Sequence, residues 1–133
     1  MRLDPFVRVD DSSFSIGAEE LVRLKGPPGR RQVNGIGLQE FDYGSIVYRF
    51  QACGRLEEVT KRAPVVHIGG VAVPFRSLAG FIAEQDPGAF RRAGFLVSPR
   101  LGLAFVPEEP DWVTALARHC LPQWLSLVEP GPR

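Results

Sequence analysis

Two histidines, two cysteines and a generous supply of carboxylates are the groups in this 133-residue chain best suited to nucleophilic, acid–base or metal chemistry. His119 and Cys120 are adjacent, and neighbours on a helix point about 100° apart, so they do not face one ion. Neither CxxC nor HxxxH spacing occurs. The sequence is therefore read as holding no metal and no cofactor. His67 lies in the apolar "PVVHIGG" and is expected to be a hydrogen-bonded core histidine. Cys53 precedes Gly54 at an expected hairpin tip and has no base nearby in sequence. Cys120 follows Ala115, Leu116 and Ala117 and reads as a small buried hydrophobe. Nothing resembles a G-x-S-x-G elbow, so nucleophilic catalysis needs distant residues to assemble. An enzyme would place a histidine in a deep polar pocket beside a cysteine or two carboxylates. The expectation is a non-catalytic protein, with a small hydrolase or transferase as the lesser alternative.

Carboxylates and aromatic residues suggest binding instead. Glu40 and Asp42 can face Glu57 and Glu58 across a hairpin, but like charges directly opposite are destabilising. A solvated face alternating with Arg49 and Arg55 is the expected arrangement. "GPPGRRQVNGIG" has glycines and two arginines, yet it follows a helix, whereas a phosphate cradle opens one. It reads as an exposed inter-element loop. Trp112 follows Glu108, Glu109, Pro110 and Asp111 at the expected start of a helix. With Tyr43 and Phe41 it could form an aromatic and acidic surface suited to a protein partner. The competing reading is that Trp112 and Trp124 simply cover the sheet. The candidate partner-binding residues are Glu40, Asp42, Glu108, Glu109, Asp111 and Trp112.

The elements that must position these residues are legible in part. "SIGAEELVRLKGPPG" reads as a helix over 18–25, opened at Ser15 or Gly17, with Glu19 and Glu20 in its first turn and Arg23 and Lys25 in its last. From Gly37 to Thr60 the period changes to two: Phe41 and Tyr43 point one way, Glu40 and Asp42 the other. Asp42-Tyr43-Gly44 reads as a turn. Ile46, Tyr48 and Phe50 share a face, and a bulge is expected near Glu57-Glu58. "APVVHIGGVAVPF" supplies a strand pair around Gly69-Gly70, and a helix is expected over 77–85. "GFLVSPRLGLAFVP" reads as a hairpin turning at Ser98-Pro99-Arg100. A helix over 111–126, broken near Pro122, closes the chain. No internal repeat is visible. The expected architecture is one α+β domain over 1–128, with four to six antiparallel strands, helices on one face, and a disordered tail over 129–133.

Composition narrows the class further. Hydrophobic residues make up 44% and charged residues 23%, as in ordinary globular proteins. The first sixty residues carry eight basic and nine acidic side chains and the rest eight and six, so neither half has the basic excess that phosphate binding requires. Nucleic acid and membrane surfaces are not the expected partners. The N-terminus lacks a signal-peptide pattern, no apolar run reaches membrane-span length, and two cysteines are too few for a disulfide scaffold. A cytoplasmic location is expected.

"SFSIGAEELVRLKGPP", "EFDYGSIVYRF" and "GRLEEVT" resemble the helix-then-hairpin module of the β-lactamase inhibitor protein and of outer-membrane assembly lipoproteins. The matching pieces are Gly17 to Leu21, Gly26-Pro27, Tyr43-Gly44 and Phe50 to Leu56, with one residue of departure before Gly54 and no lipobox cysteine. The whole chain, including "SPRLGLAFVPEEPDWVTALARH", is similar to small cytosolic immunity proteins that accompany bacterial contact-dependent or type VI-secreted toxins. That resemblance implies a single α+β domain without catalytic residues that occludes a cognate toxin, encoded nearby. A monomer or weak homodimer is expected. The alternative is a secretion chaperone or adaptor that self-associates through an exposed strand such as "GLAFV".

Overall fold

Hydrophobic alternation is clearest between Gln39 and Arg62, and that stretch forms the centre of the larger of two sheets. A computed structural model describes residues 1–126. In chain order the strands and helices are β1 Arg2–Asp4, β2 Arg8–Val9, β3 Ser12–Ser13, α1 Ala18–Lys25, β4 Arg30–Val33, β5 Gln39–Asp42, β6 Ile46–Phe50 and β7 Leu56–Arg62. They continue as β8 Val65–Ile68, β9 Val71–Pro74, α2 Phe75–Gln85, β10 Phe90–Arg92, β11 Phe95–Ser98, β12 Leu103–Phe105, β13 Trp112–Leu116 and α3 Leu121–Leu125. A 3₁₀ turn, Arg118–Cys120, leads into α3.

Among the described residues the expected four to six strands are thirteen, in sheets of eight and five. The small sheet runs β3-β2-β1-β8-β9, and its β1·β8 pair is parallel. The large one runs β10-β11-β12-β13-β7-β6-β5-β4 and is antiparallel throughout. The coarse α+β class holds for a single small domain that is mostly sheet.

The sequence shows no repeat, but the topology does. A hairpin, a helix and four antiparallel strands (β2 to β7) are followed by a hairpin, a helix and four antiparallel strands (β8 to β13). The order of the large sheet mirrors itself about the β7·β13 seam, as a two-fold axis between two halves would require. Thr60 lies opposite Thr114 at that seam, their hydroxyls 2.8 Å apart. Phe41 opposite Tyr48 in one half corresponds to Leu96 opposite Phe105 in the other. Residue class is retained while identity is not, which hides the duplication from the eye.

One face of the large sheet builds the main core. Phe41, Tyr48, Phe50, Val59, Phe105 and Val113 pack there with Leu21 of α1 and Leu78 and Ile82 of α2. Each such side chain contributes about 1.5–3 kcal/mol of burial. Phe41–Phe50 and Phe75–Phe105 meet with ring centroids 5.1 and 5.5 Å apart. The opposite face carries a second, smaller core on its β10–β13 half, where Val97, Ala104 and Leu116 pack with Ala117, Cys120, Leu121 and Trp124. Helical turns therefore cover both faces, a correction to the expectation of one.

Three further expectations are revised. The helix over 111–126 is instead strand β13, the 3₁₀ turn and the short α3, with Pro122 in the first turn of α3 rather than at a break. Val113 and Ala115 are buried on one face and Thr114 and Leu116 on the other, so this strand presents a continuous buried run. Periodicity alone does not separate such a run from a helix. The loop expected after α1 holds strand β4, whose four residues are exposed. Its polar sequence gives no strand signal; pairing with β5 imposes the conformation. "GLAFV" is not an exposed edge either, because β12 is buried between β11 and β13. The expected tail over 129–133 lies outside the described residues.

Candidate functional site

The bulge anticipated near Glu57-Glu58 organises the site. Arg49 pairs with Glu58 and Phe50 with Leu56, leaving Glu57 as the extra residue of β7. Leu56 and Glu57 are both buried in consequence. A buried carboxylate needs partners. Glu57 accepts a hydrogen bond from Gln51 Nε2, and His119 Nε2 lies 3.0 Å from its Oε1. Arg55 approaches to 4.0 Å. The 3₁₀ turn is thereby pinned to the bulge. His119 contacts this carboxylate and keeps 29% of its side chain exposed.

On the second face of the sheet, beside α3, Glu40, Arg49 and Glu58 stand opposite one another on β5, β6 and β7. Arg49 separates the carboxylates. Its Nε donates to Glu40 Oε2 at 2.7 Å, and its Nη1 donates to Thr60 Oγ1 at 2.6 Å and lies 3.6 Å from Glu58 Oε1. Burial works against the charged form of Glu40, but hydrogen bonds from Arg49 and Gln32 outweigh it and hold the carboxyl below its ordinary range. Burial pushes the Glu58 carboxyl up, against the attraction of Arg49 and the hydrogen bond from Trp124. The expected solvated face of alternating charge is thus a half-buried network.

Glu58 also lines a 240 Å³ pocket with Ile36, Ala93, Phe95, Gln123 and Trp124. Trp124 Nε1 donates to Glu58 Oε2 at 3.2 Å, and the Trp124 ring meets Phe95 edge-on at 5.0 Å. Ile36 comes from the β4–β5 turn and Ala93 from the β10–β11 turn, at opposite edges of the large sheet. The sheet curls toward this face far enough to bring both to one pocket, as sheet twist favours.

The six residues proposed from sequence are dispersed around this face. Glu40 is absorbed into the Arg49 network. Asp42 Oδ1 accepts from Gly44 N at 2.7 Å, and Gly44 has φ 95°, so Asp42-Tyr43-Gly44 is the turn it was read to be. Tyr43 donates its hydroxyl to Gly26 O at 2.9 Å. Trp112 shares the face, at the first position of β13, with the Arg62 guanidinium 5.1 Å from its ring centroid. Asp111 precedes it at φ 74°, and its carbonyl accepts from Ala63 N, a strand-entry bend where the start of a helix was expected. Glu108 and Glu109 are exposed on the β12–β13 connection, Glu108 lying 3.7 Å from Arg91.

Arg49 and Glu58 were read from sequence as a solvated face and Trp124 as a cover of the sheet, so none was placed among the partner-binding residues, although the bulge signal pointed to the Glu58 neighbourhood. The other candidates fall elsewhere. His67 is exposed between buried Val66 and Ile68, because only one face of its strand is covered; this corrects its expected core position. Cys53 is exposed, with its thiol 3.4 Å from Gln51 Oε1. Cys120 is buried as expected, and burial pushes its thiol up to about 12. Among the described residues no group of three or more His, Cys, Asp or Glu could hold a metal ion. No described helix is long and apolar enough to cross a membrane. No family model, curated protein or solved structure matches the chain.

Proposed function

We propose that the chain is a non-catalytic binding protein of the immunity type, which neutralises a bacterial toxin by covering it with the open half of the large sheet's second face. The observation that carries the reading is the Glu40–Arg49–Glu58 network. Its charged side chains are bonded to one another across three strands, at 12–20% side-chain exposure, and α3 reaches the network only through Trp124 on Glu58 among the described contacts. Side chains ordered and partly desolvated before an encounter lose little entropy on binding. Trp112 and Val47 add apolar area on the same face, and the exposed Glu108 and Glu109 lie on the connection that enters β13 at Trp112. Such a surface suits a basic cleft, the shape of many toxin substrate sites.

A cytoplasmic location belongs to the same reading, because protection is needed where the toxin acts and both thiols are free. Strand β4 favours the adaptor alternative only weakly. Its edge is exposed, as are Val33 and Ile36 near it, but Arg30 and Arg31 guard it against pairing.

The test is co-expression with the product of the neighbouring reading frame, scored by co-purification and by growth. Wild type should bind and rescue. A Val47→Lys, Trp112→Ala variant should lose affinity at least about thirtyfold, about 2 kcal/mol or more, if the open face is the contact. Absence of binding and rescue by the wild type would defeat the immunity reading; full protection by the variant would relocate the surface.

A further inference from the structure

The pocket between Glu58, Phe95 and Trp124 is built for a particular guest. At 240 Å³ it lies below the range that encloses a drug-sized ligand, so it suits a single side chain better than a cofactor. Ile36, Ala93, Phe95 and Trp124 would line an aliphatic stem, and two aromatic rings near one carboxylate favour a cation.

Charge bookkeeping points the same way. Glu40, Glu57 and Glu58 crowd one end of the sheet face, and Arg49 is the cation set among them. Arg49 is engaged by Glu40 at 2.7 Å and Thr60 at 2.6 Å, while Glu58 has it only at 3.6 Å. Arg55 and His119 approach Glu57, not Glu58. Arg92, on the neighbouring edge hairpin, donates to Leu125 O at 2.8 Å and lies over Phe90. Glu58 is therefore a part-buried carboxylate whose nearest cation stands at 3.6 Å, directly on the pocket. We infer that this pocket receives the guanidinium or ammonium group of an arginine or lysine side chain presented by a partner protein. The inference rests on the protein-binding reading for the bearer of the cation, but not for the pocket's selectivity.

That selectivity can be measured without a partner. The indole N–H of Trp124, which donates to Glu58, is a local probe in ¹⁵N spectra of the full chain, assigned with Trp124→Phe. Titration with N-acetyl-arginine amide should shift it saturably, with Kd of order 1 mM. The neutral isostere N-acetyl-citrulline amide should bind at least about tenfold more weakly, and Glu58→Gln should weaken arginine binding by about the same factor. Equal shifts with arginine and citrulline overturn the inference even if the variant misfolds. So does an unshifted indole, or undiminished binding by a folded Glu58→Gln chain. If removing residues 127–133 tightens arginine binding about tenfold, the chain's own Arg133 is the occupant and the partner assignment falls. Arginine binding without toxin capture removes the toxin and keeps the pocket; capture without arginine binding does the reverse.

Discussion

Glu58 and Arg49 carry opposite risks for stability. Burial holds the Glu58 carboxyl above its ordinary range. A carboxyl whose native pKa exceeds its unfolded one favours folding below the unfolded value, and that contribution is lost as pH rises through the native value. Glu58→Gln should therefore match wild type in urea melts near about pH 4 and exceed it near about pH 8. Removing Arg49 leaves Glu40 and Glu58 uncompensated instead. Arg49→Met should cost about 2–3 kcal/mol in denaturant midpoints. In a Glu40→Gln, Glu58→Gln background the same replacement should cost about half as much or less, because the charges it stranded are gone.

At the scale of elements, connections are held by polar side chains acting on backbone. Asp86 ends α2 and is buried. Its Oδ1 accepts from Gly88 N at 2.8 Å, and its Oδ2 from Ser98 Oγ at 2.7 Å and Arg100 N at 3.0 Å. Burial opposes its charge, but these bonds prevail and lower its pKa. Its contribution is thus present above the ordinary aspartate range and lost as pH falls through the lowered value. Asp86→Ala should cost about 3 kcal/mol at neutral pH by thermal or chemical melts, with the deficit shrinking in acid. Gly102, leading into β12, has φ 64°, and an added Cβ would lie 2.9 Å from Phe6 Cε1. Phe6 cannot retreat freely, since the Arg118 guanidinium covers its ring at 4.1 Å. Gly102→Ala should lower stability by about 2 kcal/mol, seen as a reduced urea midpoint with unchanged slope.

At the scale of the whole molecule, the two halves share one sheet. The β7·β13 ladder joins them over five residue pairs, and β1·β8 ties the smaller sheet across the same division. Neither half encloses its own core: Val59 and Val113 belong to one cluster with Leu21 and Leu78. Unfolding should be a single transition, with tryptophan fluorescence and far-ultraviolet dichroism coincident in urea. The fragment 1–62, lacking β13 and β8, should remain unfolded on its own despite holding half the repeat. Two separated transitions in the full chain would contradict this account.

The sequence by itself determined elements whose signal is local. Alternation placed β5 through β7, the glycines and Asp42 marked their turns, and the charge order of "AEELVRLK" with Gly26 bounded α1. The bulge near Glu57-Glu58 was likewise read from the local pattern. Tertiary structure decided the rest, wherever a residue's environment comes from distant chain. Arg30–Val33 became a strand because β5 offered an edge, and "WVTAL" became a strand because cores on both faces bury it. Sheet number, the mirrored halves and the second small core depend on pairings such as β7 with β13, fifty-odd residues apart. The candidate site is of this second kind. Arg49, Glu58 and Trp124 are unremarkable in sequence, and only the curl of the sheet brings them beside Ile36 and Ala93.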